Sequence, residues 1–229
     1  VGSEMCIRDS FYRNENENKQ SVTFTDDQSA AIDELISFIA ATWSDKDFIR
    51  GLCGPGGTGK TFVTKYIIEN CKYSHSVIKC TAPTHKACRV LNNAIGNIRN
   101  VETIQSTFGL RLDLKLEDFD PERPQFNPIA GPKLNNIKLL IVDEASMLPA
   151  KLVKYIISTC KKLNIKIIFQ GDSFQLPPVG EKQSYAFTQC YKTNYLNEIV
   201  RQGNDNPIRD ILSILRELSL IHISEPTRP

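Results

Sequence analysis

The chain has 229 residues, of which 41% are hydrophobic and 24% charged, and its formal net charge is +2. These values are those of an ordinary globular protein, which excludes a disordered tail, a collagen-like repeat and a coiled coil. No apolar run is long enough to span a bilayer, so we expect no membrane association. Because the net charge is small, any surface for nucleic acid must be a local patch.

The seven cysteines form no CxxC pair and no zinc-like spacing with the three histidines. Two of them, Cys53 and Cys80, lie in apolar runs that are typical of strands. This pattern indicates reduced, buried thiols, and we therefore expect a cytoplasmic protein.

The two ends of the chain have unusual sequences. One DNA segment, read on its two strands, can encode both VGSEMCIRDS (residues 1–10) and LSLIHISEPTRP (residues 218–229). This resembles a sequencing adapter translated at both ends, so we expect both tails to be foreign and the natural protein to continue beyond residue 217. The alternative is a genuine signal or terminal helix.

The first predicted element is a helix with Thr25 as its N-cap and Gln28 completing a capping box. Apolar residues then recur at helical spacing, at Ile32, Leu35, Ile36 and Ile39. Further helices are predicted around residues 62–67, at 86–95 with Ala87, Val90, Leu91 and Ala94 directed inward, and at 150–160. Strands are predicted at residues 48–53, 76–82, 139–142 and 165–169.

Strands that alternate with helices predict an α/β fold with a parallel sheet flanked by helices. Residues 110–138 interrupt this pattern with four prolines, at Pro121, Pro124, Pro128 and Pro132, and with an alternating polar and apolar stretch at 111–116. We interpret this segment as a small β insertion, and the alternative is a surface loop.

A glycine-rich motif of the form GxxxxGK[ST] lies between a predicted strand and a predicted helix. Its residues are Gly54, Pro55, Gly56, Gly57, Thr58, Gly59, Lys60 and Thr61. Glycines let backbone N–H groups face a polyphosphate, and the helix N-terminus adds a favourable dipole. Lys60 would contact the terminal phosphates of ATP, and the Thr61 hydroxyl would bind Mg²⁺. The alternative is a glycine-rich turn.

Two further motifs follow predicted strands, and the carboxyl ends of parallel strands form the ligand-binding edge of a sheet. Asp143, after the strand 139–142, would hold Mg²⁺, and Glu144 would accept a proton from the attacking water. Gln175, after the strand 165–169, could contact the terminal phosphate or that water, although a proline-terminated turn is an equally good interpretation of this segment.

The order of these segments resembles that of superfamily 1 helicases of the RecD and phage Dda type. TDDQSAAI resembles the family's Q motif, GPGGTGKT motif I, TAPTHKACRVL motif Ia, TIQSTFG motif Ib, LLIVDEASML motif II, GDSFQLPPVG motif III and LNEIVRQ motif IV. The resemblance covers residues 24–213. It departs from the family in having Gln105 where motif Ib usually has His, and in lacking motifs V and VI.

The resemblance implies an ATP-dependent DNA helicase that moves 5′→3′ along single-stranded DNA. Gln28 would read the adenine, and Arg201 would stabilise the charge that develops during ATP hydrolysis. The predicted DNA contacts are Thr84, His85, Lys86, Gln105, Ser106 and Thr107. Phe119 and Phe126 would be stacking residues of a strand-separating pin in the insertion 110–138, although a role in a small core is equally compatible.

The predicted layout is therefore a first RecA-like domain formed by residues 11–109 and 139–201. Residues 202–217 would begin the next segment, and a second RecA-like domain is absent. We expect a monomer that does not unwind DNA in this truncated form. Two other functions stay open, a P-loop kinase or NTPase without translocation and a catalytically inactive module that binds single strands.

Overall fold

The computed structural model describes residues 23–96, 101–112, 126–173 and 184–200, together with the single positions 175 and 178. The predicted tails 1–10 and 218–229, the segment 202–217, Arg201 and Phe119 lie outside the described residues.

A parallel sheet forms the centre of the fold. The strands are β1 (Ile49–Cys53), β2 (Ile78–Ala82), β3 (Glu102–Thr103), β4 (Leu110–Leu112), β5 (Phe126–Pro128), β6 (Leu139–Val142), β7 (Lys166–Gly171) and β8 (Lys192–Tyr195). Six of them form one sheet in the order β3-β2-β6-β7-β1-β8, with parallel pairing throughout. All their carboxyl ends therefore lie at one edge of the sheet, and β7 lies between the strands that precede the phosphate motif and the acidic pair.

Helices cover both faces of this sheet. They are α1 (Asp26–Ala40), α2 (Lys60–Asn70), α3 (His85–Ala94), α4 (Ile104–Phe108), α5 (Ala150–Lys162) and α6 (Tyr185–Thr188). Side chains of α1, α2 and α3 pack with Leu139 and Ile141 of β6, whereas α4, α5 and α6 pack with Leu140 and Val142. A strand that is buried on both faces explains the continuous apolar run, and the predicted α/β class is confirmed.

The start of α1 is as predicted. Thr25 accepts a hydrogen bond from the Gln28 backbone N–H, and the Gln28 side chain accepts one from the Thr25 N–H. For α3 the predicted inward face is partly wrong, because Val90 is 62% exposed and Ala94 is also exposed. The buried side of α3 is instead formed by Cys88, Leu91 and Ile95, which recur every three to four residues.

The insertion contains the predicted β structure. Strands β4 and β5 pair antiparallel, with Leu110 opposite Pro128 and Leu112 opposite Phe126. Two hydrogen bonds tie the insertion back to the main domain, from the Ile129 N–H to the Gly109 carbonyl and from the Lys133 N–H to the Thr107 carbonyl.

A buried lysine fixes the C-terminal end of α1. Lys166, in β7, is 1% exposed, and its ammonium donates hydrogen bonds to the carbonyl oxygens of Phe38, Ile39 and Ala41. These carbonyls lie at the end of α1 and lack partners within the helix. Burial lowers the pKa of Lys166 to about 8. Within the part of the chain that the structure describes, no helix is both long and apolar enough to cross a membrane.

We predict that Lys166→Met lowers the free energy of unfolding by about 1–3 kcal/mol, because the substitution leaves buried carbonyls without donors. Lys151→Met, at an exposed position of α5, is the matched control and should change stability by less than about 0.5 kcal/mol. Urea unfolding of both variants measures the difference. Equal stabilities would show that Lys166 does not secure α1.

Candidate functional site

The phosphate motif adopts a tight loop between β1 and α2 that only glycine permits at two positions. Gly57 and Gly59 have φ angles of 89° and 85°, in the left-handed region. At Gly54 the limit is space, because a Cβ atom there would lie 2.5 Å from the Leu196 carbonyl oxygen and 2.7 Å from Thr58 Oγ1. The glycines of the motif are therefore required by backbone geometry and by packing.

The N-terminus of α2 lies at the end of this loop and presents donors. Gly59 is the N-cap and has no side chain to cap the helix. The first N–H groups of a helix have no partner within it, and the helix dipole is positive at this end. Thr61 is half-buried in this first turn. The loop and the helix together can hold a polyphosphate.

Lys60 lies across the loop. Its ammonium donates hydrogen bonds to the Gly54 carbonyl at 2.7 Å and the Pro55 carbonyl at 2.9 Å. The same Pro55 carbonyl accepts from the fully buried Thr58 hydroxyl at 3.0 Å, which fixes its direction. The ammonium is thus held within the loop, where phosphate oxygens would replace the carbonyls.

The charge of Lys60 is balanced by nearby carboxylates. Burial lowers the pKa of Lys60, whereas the negative charges of Asp172, Glu144 and Asp143 act in the opposite direction. Asp172 follows β7 at the same sheet edge, and the sequence analysis assigned it no role. Its position directly after a buried strand was the available signal.

The acidic pair follows β6, as predicted. Asp143 Oδ1 accepts hydrogen bonds from the Glu144 N–H and from Gln170 Nε2, both at 2.9 Å. Burial raises the pKa of Asp143 to about 6, and the Glu144 charge adds to this effect. Glu144 has a φ angle of 51°, a conformation that costs free energy for a residue other than glycine and is common at functional sites.

Gln175 lies against the loop that follows the acidic pair. Its side-chain oxygen accepts a hydrogen bond from the Ser146 hydroxyl at 3.0 Å, and Ser146 is fully buried. This contact leaves the amide N–H groups of the exposed Gln175 as the donors that it can present. The structure thus brings Gln175 to the same edge as Lys60 and Asp143.

Gln28 contacts the phosphate loop directly. Its side chain is 3% exposed, and its Nε2 donates to the Thr58 carbonyl at 2.9 Å. A Cβ at Gly59 would lie 2.6 Å from Gln28 Nε2. The amide therefore secures the loop to α1, and its role in reading adenine stays a prediction.

The segment after β8 packs over the loop, a feature that the sequence did not indicate. The Leu196 N–H donates to the Cys53 carbonyl at 2.7 Å, and the Val200 N–H donates to the Gly57 carbonyl at 3.0 Å. The Asp27 carboxylate accepts from the N–H groups of residues 197 and 198 at 2.6 and 3.3 Å. This segment leads to Arg201, which lies outside the described residues.

The first group of predicted DNA contacts lies on the surface. Thr84 is the N-cap of α3 and accepts a hydrogen bond from the Ala87 N–H at 3.1 Å. Thr84, His85 and Lys86 are exposed at the sheet edge where β2 ends. Their positions suit contact with a phosphate backbone.

The second group is less accessible. Gln105 and Ser106 are half-buried in α4, and the Ser106 hydroxyl donates to Glu102 at 2.9 Å. Thr107 is fully buried, and its hydroxyl has no partner among the described residues, so its side chain is removed from any nucleic-acid surface.

Glu102 also interacts with Lys79 at 3.1 Å and with Lys133 at 3.2 Å. Although burial raises its pKa, the hydrogen bonds from Ser106 and these lysines lower the pKa of Glu102 to about 2. A carboxylate is therefore present beside Ser106, and it weakens the prediction of a phosphate contact there.

We predict that Gly54→Ala lowers the free energy of unfolding by about 1–3 kcal/mol, because its Cβ meets backbone atoms that must move. Gly56→Ala is the control, since a Cβ there meets no protein atom within 4 Å. Thermal unfolding compares the two variants, and equal midpoints would contradict the packing argument. If Gly56→Ala folds normally but binds a fluorescent ADP more weakly, that space belongs to the ligand.

Known proteins share this sequence and site. A protein family described as AAA domain matches residues 23–219. The ATP-dependent DNA helicase dda of Enterobacteria phage T4 is 33% identical over 169 residues, which are 71% of this chain and 36% of that protein. The uncharacterized protein R530 of Acanthamoeba polyphaga mimivirus is 30% identical over 222 residues, or 86% of this chain and 42% of that protein.

Solved structures share the fold. A Pif1 helicase from Candida albicans superposes with a TM-score of 0.58 at 22% identity, over 91% of this chain and 49% of that one. A Bacteroides Pif1 helicase in complex with ADP-AlF3 and ssDNA has a TM-score of 0.56 at 22% identity, over 86% of this chain and 47% of that one. The chain thus spans less than half the length of these relatives. It belongs to the AAA domain family, and its motifs and fold are those of the N-terminal region of superfamily 1 helicases.

Proposed function

We propose that this chain is the ATP-binding lobe of a DNA helicase that hydrolyses ATP to move along single-stranded DNA. The observation that carries this proposal is the meeting of Lys60, Asp143, Glu144 and Gln175 at one sheet edge, beside the exposed start of α3. Relatives that are named ATP-dependent DNA helicases support it. The 5′→3′ direction rests on the resemblance alone.

The residues of the lobe have distinct roles in this proposal. The loop 54–61 binds the phosphates through its N–H groups and Lys60. Glu144, adjacent to Asp143, takes the proton from the attacking water. Gln175 orients that water or the terminal phosphate with its amide N–H groups. Arg201 would add positive charge in the transition state.

The residues present fit a magnesium ion that accompanies the nucleotide. Mg²⁺ binds through one or two carboxylates together with phosphate oxygens. Thr61 and Asp143 would hold it, and among the described residues no group of three or more His, Cys, Asp or Glu forms a metal site by itself. When bound, Mg²⁺ would neutralise part of the phosphate charge.

Single-stranded DNA is the proposed partner. Thr84, His85 and Lys86 would contact its phosphates, and Gln105 and Ser106 would lie at the margin of this surface. No element of this surface is suited to reading base edges, so binding should tolerate any sequence. A strand-separating role for the insertion, the monomeric state and the cytoplasmic location belong to the same proposal.

We further propose that strand separation needs a second RecA-like lobe, because translocation requires two lobes that grip the strand in turn. The 229-residue chain should therefore bind nucleotide but not unwind a 5′-tailed duplex. DNA-stimulated ATP turnover by the uninterrupted gene product separates this function from a kinase or a non-translocating NTPase. Turnover of any kind separates it from an inactive binding module.

We predict that Glu144→Gln in that gene product leaves ATP binding nearly unchanged and lowers turnover about 10²–10⁴-fold, because an amide cannot accept the proton. Glu69→Gln, at an exposed position of α2, is the matched control and should turn over ATP normally. Steady-state phosphate release measures the effect. Turnover within a few-fold of the unaltered protein would place the base elsewhere.

We predict that Lys86→Ala weakens binding of single-stranded oligonucleotides equally for all sequences. The slope of log affinity against log salt should fall by about 0.7, the value for one phosphate contact on a single strand. Lys162→Ala, at the exposed opposite end of the domain, should leave the slope unchanged. Fluorescence anisotropy over a salt series tests both, and a strong preference among oligonucleotides of equal length would contradict backbone recognition.

A further inference from the structure

A chain of three buried polar side chains lies beneath the phosphate loop. The Thr64 hydroxyl of α2 donates a hydrogen bond to Gln170 Oε1 in β7, and Gln170 Nε2 donates to Asp143 Oδ1 at 2.9 Å. Gln170 is fully buried, and Thr64 is 2% exposed. The chain therefore joins the helix that carries Thr61 to the strand end that carries Asp143.

A glutamine in the middle of this sheet needs an explanation. All six residues of β7 are buried, and an unpaired amide in such a place costs about 1–3 kcal/mol. An apolar side chain would avoid this cost. Here both ends of the Gln170 amide have partners, which makes its burial tolerable and fixes its direction.

The orientation of the amide follows from its partners. An ionised carboxylate only accepts hydrogen bonds, so the NH₂ group of Gln170 must face Asp143 and the carbonyl must face Thr64. Thr64 then has to donate. One donor on α2 thus selects the rotamer of Gln170.

This arrangement distinguishes the two oxygens of Asp143. Oδ1 accepts from both the Glu144 N–H and Gln170 Nε2, whereas no hydrogen bond to Oδ2 is found among the described residues. Rotation of the carboxylate would exchange the oxygens and break both contacts. Oδ2 is therefore held as the oxygen available to a ligand.

We propose that Gln170, itself oriented by Thr64, is a positioning residue that holds Asp143 with Oδ2 directed to the divalent cation of the bound nucleotide. This inference rests on the proposed function. It assigns the metal-dependent part of nucleotide affinity to a three-residue unit that includes two residues outside the sequence motifs. Because Thr64 and Thr61 lie one turn apart on α2, the same helix orients both proposed cation ligands.

The test compares binding of a fluorescent ADP with Mg²⁺ and with EDTA, using the 229-residue chain. The ratio of the two affinities isolates the metal contribution. In Gln170→Leu this ratio should fall about 10–100-fold, as is usual when a residue that orients a metal ligand is lost. The affinity in EDTA should stay unchanged, because the phosphate loop is intact.

Thr64→Val and Thr64→Ser form the matched pair. Valine removes the donor without changing the shape and should lower the ratio, whereas serine keeps the donor and should preserve it. Thr81→Val, another fully buried threonine in the neighbouring sheet, controls for loss of a buried hydroxyl and should leave the ratio unchanged. Binding of Mn²⁺ in the presence of ADP, followed by electron paramagnetic resonance, provides a second readout.

The outcomes are distinct. A ratio in Thr64→Val equal to that of the unaltered chain, or an equal loss of affinity with and without Mg²⁺, overturns the positioning role. If Gln170→Leu does not fold, as judged by thermal unfolding, the Thr64 pair decides the question. An unaltered chain that binds ADP equally with Mg²⁺ and EDTA overturns the proposed metal site and this inference together, and a chain that binds no ADP overturns the proposed function.

Discussion

The close approach of Gly54 to its neighbours holds the phosphate loop in the sheet. Its N–H donates to the Gly171 carbonyl at 3.1 Å, and its Cα faces the Leu196 carbonyl with no room for a side chain. The loop is therefore anchored between the ends of β7 and β8. Every contact of the site, from Gln28 to the segment 196–200, is made to a loop whose position this glycine determines.

The parallel sheet then gathers groups that are far apart in the sequence. Because all six strands end at the same edge, Lys60, Asp143 and Asp172 meet there. Their burial raises the free energy of isolated charges, and the opposite charges of the lysine and the carboxylates compensate for it. The site is thus organised before any nucleotide binds, which is the condition for electrostatic stabilisation of a transition state.

The polar side chains beneath the site extend this organisation into the core. Gln170 and Thr64 occupy positions that an apolar residue could fill, and both are connected to Asp143. On the other side of the loop, Asp27 and Gln28 connect the start of α1 to the loop and to the segment after β8. The phosphate loop is consequently supported from two directions by residues of which only Gln28 belongs to a predicted contact set.

Local patterns in the sequence determined much of the fold. The capping box at Thr25, the apolar run 139–142 and the glycine motif 54–61 each depend on residues close together in the chain, and each was predicted correctly. The short or polar strands β3 and β8 were not predicted, because their pairing with β2 and β1 supplies what their own sequences lack.

Only the tertiary structure decided which side chains meet. Thr107 is buried and Val90 is exposed, contrary to expectation, because burial depends on how each helix is rotated against the sheet. Gln170 gained a role through Asp143, which is 27 positions away, and through Thr64, which is 106 positions away. The sequence by itself thus determined the local elements and the chemistry of the phosphate loop. The tertiary structure decided the orientation of the catalytic carboxylate, because hydrogen bonds between distant residues leave no periodic pattern along the chain.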